Sequence, residues 1–540
     1  MAVILIDAFH YLGHEAAKRP IFLLISSVLL GGLYFIYLDF LKTWLKRPSH
    51  FSQRSLLARF TTPKFDAPLV ELKPGETYRE VLARGSATYP DRPYKIKHFP
   101  DEIIILPSKC VDDIKTNAQS TLSFQESSYD FFIGEFTGIT GHEQATATLI
   151  RRDVGRLLDQ VYEIVQDAAL NAILEEIGPC EGLQLPISNC HYAGQYTEIL
   201  SFLEWTEIVL FPRIVKMIIR ISQRVFVGER LSKDPDWLQA IQDCTGGAFS
   251  SVPKLWRIHW LFRPFVAWSL PQLRAIRKHR AKATTLLRPI LEERLEAMKD
   301  PKFKPPPDLI QLVIDGSPNN KGNSLDYQVS AQIGTGRAAL FTTASTVYHL
   351  LYDLCLRPEY IEPLRQEALE VGEVSMTRAN VAKLAKLDSF IREAQRFNKF
   401  MLVGTIRKVV KPLKIATGET LPAGVICGLD THTIHFDRSP LKNPYEFDGY
   451  RYYNMRSEPG NEQKFQAVTS GPDHLVFGYG TQACPGRFFA IHEAKVVVAR
   501  ILRNYEFKLK DPPKEPSVLN GLDGILNKVD PTVKFVFKHR

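Results

Sequence analysis

A mainly helical body with a small β lobe, preceded by one apolar helix, is the fold class this sequence predicts. Three observations carry that expectation: long stretches with helical apolar spacing, strand-type patterning confined to two places, and an uncharged run of eighteen residues near the amino terminus. With 540 residues, 45% of them hydrophobic, and no repeat or low-complexity tract, the chain can bury one large core.

The apolar run from Ile21 to Leu38 is diluted only by Ser26, Ser27, Gly31 and Gly32. At 1.5 Å per residue it reaches about 27 Å, near the hydrocarbon thickness of an endoplasmic-reticulum bilayer. A cleavable signal peptide would have a shorter apolar core and a small-residue cleavage site. Lys42, Lys46, Arg47, Arg54 and Arg59 after the run outnumber Lys18 and Arg19 before it, so the large domain is expected to stay cytosolic. The expected layout is a short lumenal terminus (1–20), a transmembrane signal anchor (21–38), a basic linker (39–60) and one cytosolic domain (61–540), single-pass in the endoplasmic reticulum membrane. An interior core helix is the other use of such a run.

Strand signals come first at Tyr94–Lys97 and Glu102–Leu106, broken by Pro100, and again from Leu413 through Cys427, where Gly418 and Pro422 mark a turn. Helical signals dominate the rest. Asp326 to Leu356 has the length and composition of a long buried helix. From Leu384 to Phe397, apolar residues at 384, 387, 391 and 394 draw one stripe, and Glu393 and Arg396, three apart, share a face. A third helix runs from Phe488 to about Leu502.

Ahead of that helix, Phe477-Gly-Tyr-Gly-Thr-Gln-Ala-Cys484-Pro-Gly-Arg487 sets one cysteine among three glycines and a proline. Glycines admit positive φ and let a backbone approach a flat ligand. Pro485 suits a first helical position, which leaves Cys484 at or beside the N-cap, where free N–H groups favour a thiolate. A lone buried cysteine is usually inert, but here the whole pattern Phe-x-x-Gly-x-x-x-Cys-x-Gly is present.

This segment resembles the haem-binding loop of the haem-thiolate monooxygenases, the cytochromes P-450, and Cys-Pro-Gly-Arg-Phe-Phe-Ala most resembles filamentous-fungal members of secondary metabolism. The resemblance runs from residue 60 onward and implies the cytochrome P-450 fold, with haem b (iron protoporphyrin IX) held by Phe477, Gly480, Cys484 and Gly486 and with Cys484 ligating iron. A thiolate there donates electron density that favours O–O cleavage. The family commonly has Arg or His where this chain has Gln482, so Arg407, in the strand-like stretch 404–409, is the expected partner for a haem propionate. Asn443–Tyr452 resembles the family's Pro-x-x-Phe-x-Pro-x-Arg-Phe segment, which implies a buried triad of Glu393, Arg396 and Arg451 behind the pocket. In the long helix, Ala338 and Ala339 match the small pair that leaves room for oxygen, and Thr342 matches the catalytic threonine. Phe341 occupies the usual acid slot. Without that context a mid-helix threonine is back-bonded to a carbonyl four residues earlier.

The resemblance also implies partners: dioxygen, a small lipophilic substrate, the membrane, and an NADPH-cytochrome reductase, so that NADPH acts only indirectly. Arg487 and Lys495 are either part of the reductase site or ordinary solvated charges. The net charge of +9 is spread without the aromatic-interleaved clusters that bind nucleic acid, so no nucleic-acid partner is expected. Seven cysteines without zinc-ligand spacing fit a reducing compartment. Phe124, Phe131, Phe132 and Phe136 fall where the family folds a loop over the distal pocket. Between Leu255 and Trp268 lie three of the six tryptophans, either an interfacial entrance or a buried core helix. These features suit a polycyclic secondary metabolite, a terpenoid or meroterpenoid first, with a reduced polyketide or an indole-terpenoid as alternatives. A haem-thiolate isomerase or dehydratase and a non-catalytic haem binding protein are the other readings the residues leave open.

Overall fold

The computed structural model describes residues 65–98, 102–139, 143–178, 205–260, 262–372, 377–512, 518–521 and 525–540, with seven scattered positions between 27 and 38. The expected anchor lies outside these residues except at those positions, where Leu30, Tyr34 and Tyr37 are exposed. Among the described residues no helix is long and apolar enough to cross a membrane. The lumenal terminus and basic linker likewise lie outside the described residues.

Six strands form the main sheet: β1 (Leu69–Val70), β2 (Tyr94–Lys97), β3 (Glu102–Leu106), β4 (Leu122–Ser123), β5 (Val403–Val409) and β6 (Ile426–Asp430), in spatial order β1-β2-β3-β6-β5-β4. The β2–β3 hairpin that alternation predicted pairs Tyr94 with Ile105 and Lys97 with Glu102. The second predicted β region splits. Leu413–Lys414 and Thr420–Leu421 close a short hairpin around Gly418 at φ +99°, while β6 leaves it to lie between β3 and β5. Within β5 the register slips between Gly404 and Arg407, putting Thr405 and Ile406 opposite Gly428, with Thr405 at φ +51°. This bulge resets which face the next side chain takes, and that side chain is Arg407.

The helical body holds the larger core. Its main members are α1 (Phe124–Phe131), α2 (Glu143–Glu176), α3 (Leu210–Phe226), α4 (Pro235–Trp256), α5 (Arg263–Ser269), α6 (Pro271–Ala297), α7 (Leu325–Leu356), α8 (Ala385–Phe397), α9 (Arg451–Arg456) and α10 (Arg487–Asn504). Boundaries of α7, α8 and α10 fall within two residues of the sequence expectations. Helix α7 is buried along most of its length, polar residues such as Gln328, Gln332, His349 and Asp353 included, and is packed against α2, α3, α4, α6 and α10. The five described cysteines are free thiols.

At the α3–α10 contact, Glu493 is wholly buried and bonded only to Ser222 Oγ, at 3.0 and 3.3 Å. Burial pushes its carboxyl up to about 8, against the weaker pull of the Ser222 bond. A carboxyl raised in the fold keeps a proton that the unfolded chain has released above its ordinary value of 4.5, so stability falls as pH climbs from there toward 8. Glu493→Gln should therefore raise the urea midpoint at pH 7.5 by the equivalent of up to about 4 kcal/mol and change it little at pH near 4.5. A gain independent of pH would show that the carboxyl is not protonated in the fold.

Candidate functional site

The cysteine loop is closed by its own backbone. Cys484 N–H donates to the Phe477 carbonyl at 2.7 Å, and Gly478 and Gly480 take φ of +71° and +75°. A Cβ on Gly480 would collide with the Lys115 carbonyl, so this position needs glycine for space as well as for φ. Helix α10 starts later than the proline suggested: Gly486 is its N-cap, and Pro485 sits in the preceding turn. The sulfur of Cys484 nevertheless faces the N–H groups of Gly486 and Arg487. Burial pushes the thiol up, and those N–H groups with the Arg487 and Arg151 charges pull it only partly back. The expected helix-end stabilisation is present, but desolvation outweighs it.

Around the loop stand three guanidinium groups. Arg407, delivered by the β5 bulge, is buried, with Nη1 on the Ile406 carbonyl at 2.9 Å and Nη2 on that of Gln482 at 3.4 Å. Its Nε has no partner among the described residues, and burial lowers the group to about 10. Arg487 donates to the Cys484 carbonyl at 2.8 Å and also keeps a buried Nε that has no partner among the described residues. Arg151, on α2, reaches the Ala483 carbonyl at 3.1 Å. Sequence reasoning missed Arg151, because nothing within α2 distinguishes it from its neighbour Arg152. Gln482 is a stitch: its amide accepts from Phe124 N–H at 3.0 Å and donates to the Leu122 carbonyl at 2.7 Å.

Behind the loop, Glu393, Arg396 and Arg451 meet in one buried ion cluster. Arg396 grips Glu393 with two bonds of 2.9 and 2.8 Å, and Arg451 Nε adds a third at 3.1 Å. Residual donors are used on backbone carbonyls: Arg396 on His435 and Pro444, at 3.1 and 2.5 Å, and Arg451 on Glu446 at 2.7 Å and on Lys442. Lys495, expected at the surface, is instead buried on Asp388 at 2.7 Å, so it offers no docking charge.

On the other side, α7 is exposed in mid-length at Ala338 and Thr342, one turn apart, within an otherwise buried stretch. Thr342 Oγ1 donates to the Ala338 carbonyl at 2.7 Å, the back-bonded geometry that sequence reasoning assigned to an isolated threonine. Thr343 is 2% exposed and faces the core. Phe341 lies 6.0 Å from Phe249, which meets Phe132 at 5.4 Å; Phe131 and Trp256 continue the wall at 5.0 Å spacings. Phe136 packs nearby, whereas Phe124 is exposed beside Arg407. The tryptophan-rich segment divides: Trp256 ends α4 in the core, while Phe262, Phe265 and Trp268 project from around α5.

The family model for cytochrome P450 matches residues 202–535. The cytochrome P450 monooxygenase BOA4 of Botryotinia fuckeliana is 34% identical over 480 residues, covering 88% of this chain and 92% of that one. For the cytochrome P450 monooxygenase ascG of Acremonium egyptiacum the identity is 28% over 524 residues, 90% and 89% of the two chains. The retinoic acid bound cyanobacterial CYP120A1 shares the fold, with a TM-score of 0.60 at 16% identity over 85% of this chain and 94% of the other.

Glu393→Ala strands two buried guanidinium groups, and the expected cost is about 3–5 kcal/mol, read as a lower urea midpoint and loss of haem from purified protein. Soluble variant with normal haem content would show that the cluster does not support the loop.

Proposed function

Since the chain belongs to the cytochrome P450 family and is a haem-dependent monooxygenase, we propose that Cys484 is the sulfur ligand of its iron and that it oxidises a lipophilic, polycyclic secondary metabolite. Haem b, when bound, supplies activation of dioxygen with electrons passed from NADPH by a reductase, and a thiolate ligand adds electron density to that chemistry.

The residues present fit such a group. The single observation that carries the reading is the Cys484 loop itself: glycines whose positive φ turns the backbone around the cysteine, a sulfur facing two N–H groups, and two buried Nε–H donors on Arg407 and Arg487. Those donors suit the carboxylates of a porphyrin. Because burial raises the free thiol, Cys484 would hold the metal as a thiolate only after giving up its proton, with the Gly486 and Arg487 N–H groups and the Arg487 and Arg151 charges favouring the anion. Phe477, Gly480 and Gly486 shape the loop, and Glu393, Arg396 and Arg451 hold its backing.

Opposite, Thr342 offers hydroxyl lone pairs at an accessible position while its proton rests on the Ala338 carbonyl. To deliver that proton it must break the 2.7 Å bond. Phe341 puts an aromatic ring where a carboxylate would relay protons, so water has to reach Thr342 by another route. The Phe131–Phe132–Phe249–Phe341 wall suits a flat apolar substrate, with a terpenoid or meroterpenoid intermediate as the first choice and a reduced polyketide or indole-terpenoid as alternatives.

The uncharged run at 21–38 and the exposed Phe262, Phe265 and Trp268 support a single-pass endoplasmic-reticulum anchor with a second membrane contact and a cytosolic catalytic domain served by an NADPH-cytochrome reductase.

Cys484→Ser should abolish the thiolate-type carbon monoxide difference band, and an unchanged band would overturn the ligand assignment. With Thr342→Ala, NADPH use should continue while product per NADPH drops about tenfold or more; full coupling would remove Thr342 from the reaction. Replacing Phe262, Phe265 and Trp268 by Ser should weaken vesicle binding of a chain lacking residues 1–60, and equal binding would leave the anchor as the only membrane contact. A polycyclic precursor should accumulate in a strain lacking the gene.

A further inference from the structure

His435 stands between the buried ion cluster and the cysteine loop and touches both. It lies in a π-helical turn, Thr433–Asp437, and is fully buried; such turns are uncommon and recur at functional positions. Its carbonyl accepts from Arg396 Nη1 at 3.1 Å, and its ring Nε2 accepts the Leu475 N–H at 3.0 Å, two residues before the loop opens at Phe477. A ring nitrogen that accepts from an N–H carries no proton, so the single proton sits on Nδ1. The bond to Leu475 thus fixes tautomer and charge together.

Burial and the neighbouring cations together oppose a second proton on the ring. Besides burial, the cations facing it are Lys399 beyond the end of α8 and Arg396 and Arg392 on α8, while His474, from the strand-like turn before the loop, stacks on it at 5.4 Å and 16°. Asp437, on the same turn, is engaged by Thr433 and Tyr445.

Resting on the reading of Cys484 as the iron ligand, we propose that His435 is a positioning residue whose neutral Nδ1–H form docks Leu475, carries the placement of the Glu393–Arg396–Arg451 cluster to the cysteine loop, and makes thiolate ligation acid-sensitive. Protonation of Nε2 would set N–H against N–H, and the loop must then release. A histidine held neutral in the fold gives stability that is complete above its unfolded value of about 6.5 and is lost as pH falls below it.

The test uses full-length, haem-loaded protein and the amplitude of the thiolate-type carbon monoxide difference band from about pH 8 down to about pH 5. The unmodified protein should keep the band at neutral pH and lose it progressively as pH falls from about 6.5 toward the lower end of this range, where the loss of stability has accumulated. His435→Gln keeps an acceptor that does not titrate, so its loss should shift to lower pH with neutral amplitude retained. His435→Leu has no acceptor and should show reduced amplitude already at neutral pH. His474→Phe preserves the stack and should retain the neutral band. A His435→Gln profile that superimposes on the unmodified one, with the band intact in His435→Leu, overturns the positioning role. Loss of the neutral band in His474→Phe but not in His435→Leu also overturns it. Absence of the band from the unmodified protein at neutral pH overturns the ligand reading and this inference with it.

Discussion

One carboxylate organises the proximal half of the molecule. Glu393, at the middle of α8, receives two bonds from Arg396 and one from Arg451, and also accepts the Asp448 N–H at 3.1 Å. Glu393 and Arg396 are fully buried and Arg451 nearly so, and each charge therefore depends on the others for solvation, with Coulomb attraction in a low-dielectric site strong enough to enforce that dependence. The guanidinium groups then use their remaining N–H donors on carbonyls of His435, Lys442, Asn443, Pro444 and Glu446, an irregular stretch with little secondary structure of its own. An irregular chain segment is thereby given a fixed shape by side-chain donors where a sheet or helix would supply backbone ones.

From that fixed segment the order passes to the loop. His435 ties the stretch to Leu475, and Asp388, one helical turn before Glu393's neighbourhood on α8, ties α10 through Lys495 and α9 through Arg456. The cysteine loop is thus clamped at its entrance and along the helix that follows it. Its own interior is held by backbone bonds from Cys484 to Phe477 and from Ala483 to Gly480, by glycine conformations, and by Arg151, Arg407 and Arg487 donating to its carbonyls.

How far the sequence revealed this depends on how local each interaction is. The glycine and proline punctuation around Cys484, the stripe of α8 and the i, i+3 pairing of Glu393 with Arg396 are written within a few residues, and all were legible. Arg151 and Gln482 join partners several hundred residues apart in sequence, Arg151 to Ala483 and Gln482 to Leu122 and Phe124. No periodicity marks such contacts. The β5 bulge was invisible for a related reason: a register slip is a property of two strands, and Thr405 gives no hint of it. Lys495 was misread because lysine is a surface residue by habit, and only the Asp388 carboxylate makes its burial tolerable. The proline rule erred by two residues at α10, since Pro485 turned the chain before the helix and did not begin it.

At residue 341 the chain places a phenylalanine in the middle of α7. A carboxylate at that position of α7 would sit beside the Phe249 ring, and an ionised group there would give up part of its hydration to an aromatic neighbour. Phenylalanine removes that cost and extends a continuous aromatic wall. The consequence falls on the neighbouring hydroxyl. Lacking an acid beside it, Thr342 rests with its proton on the Ala338 carbonyl, a bond internal to the helix that no titration in the physiological range can break. Any role for Thr342 in proton movement must therefore begin with rotation of its own side chain toward water or substrate. On this reading, apolar shape complementarity and proton handling compete for the same turn of α7, and the sequence at 341 settles the competition in favour of shape.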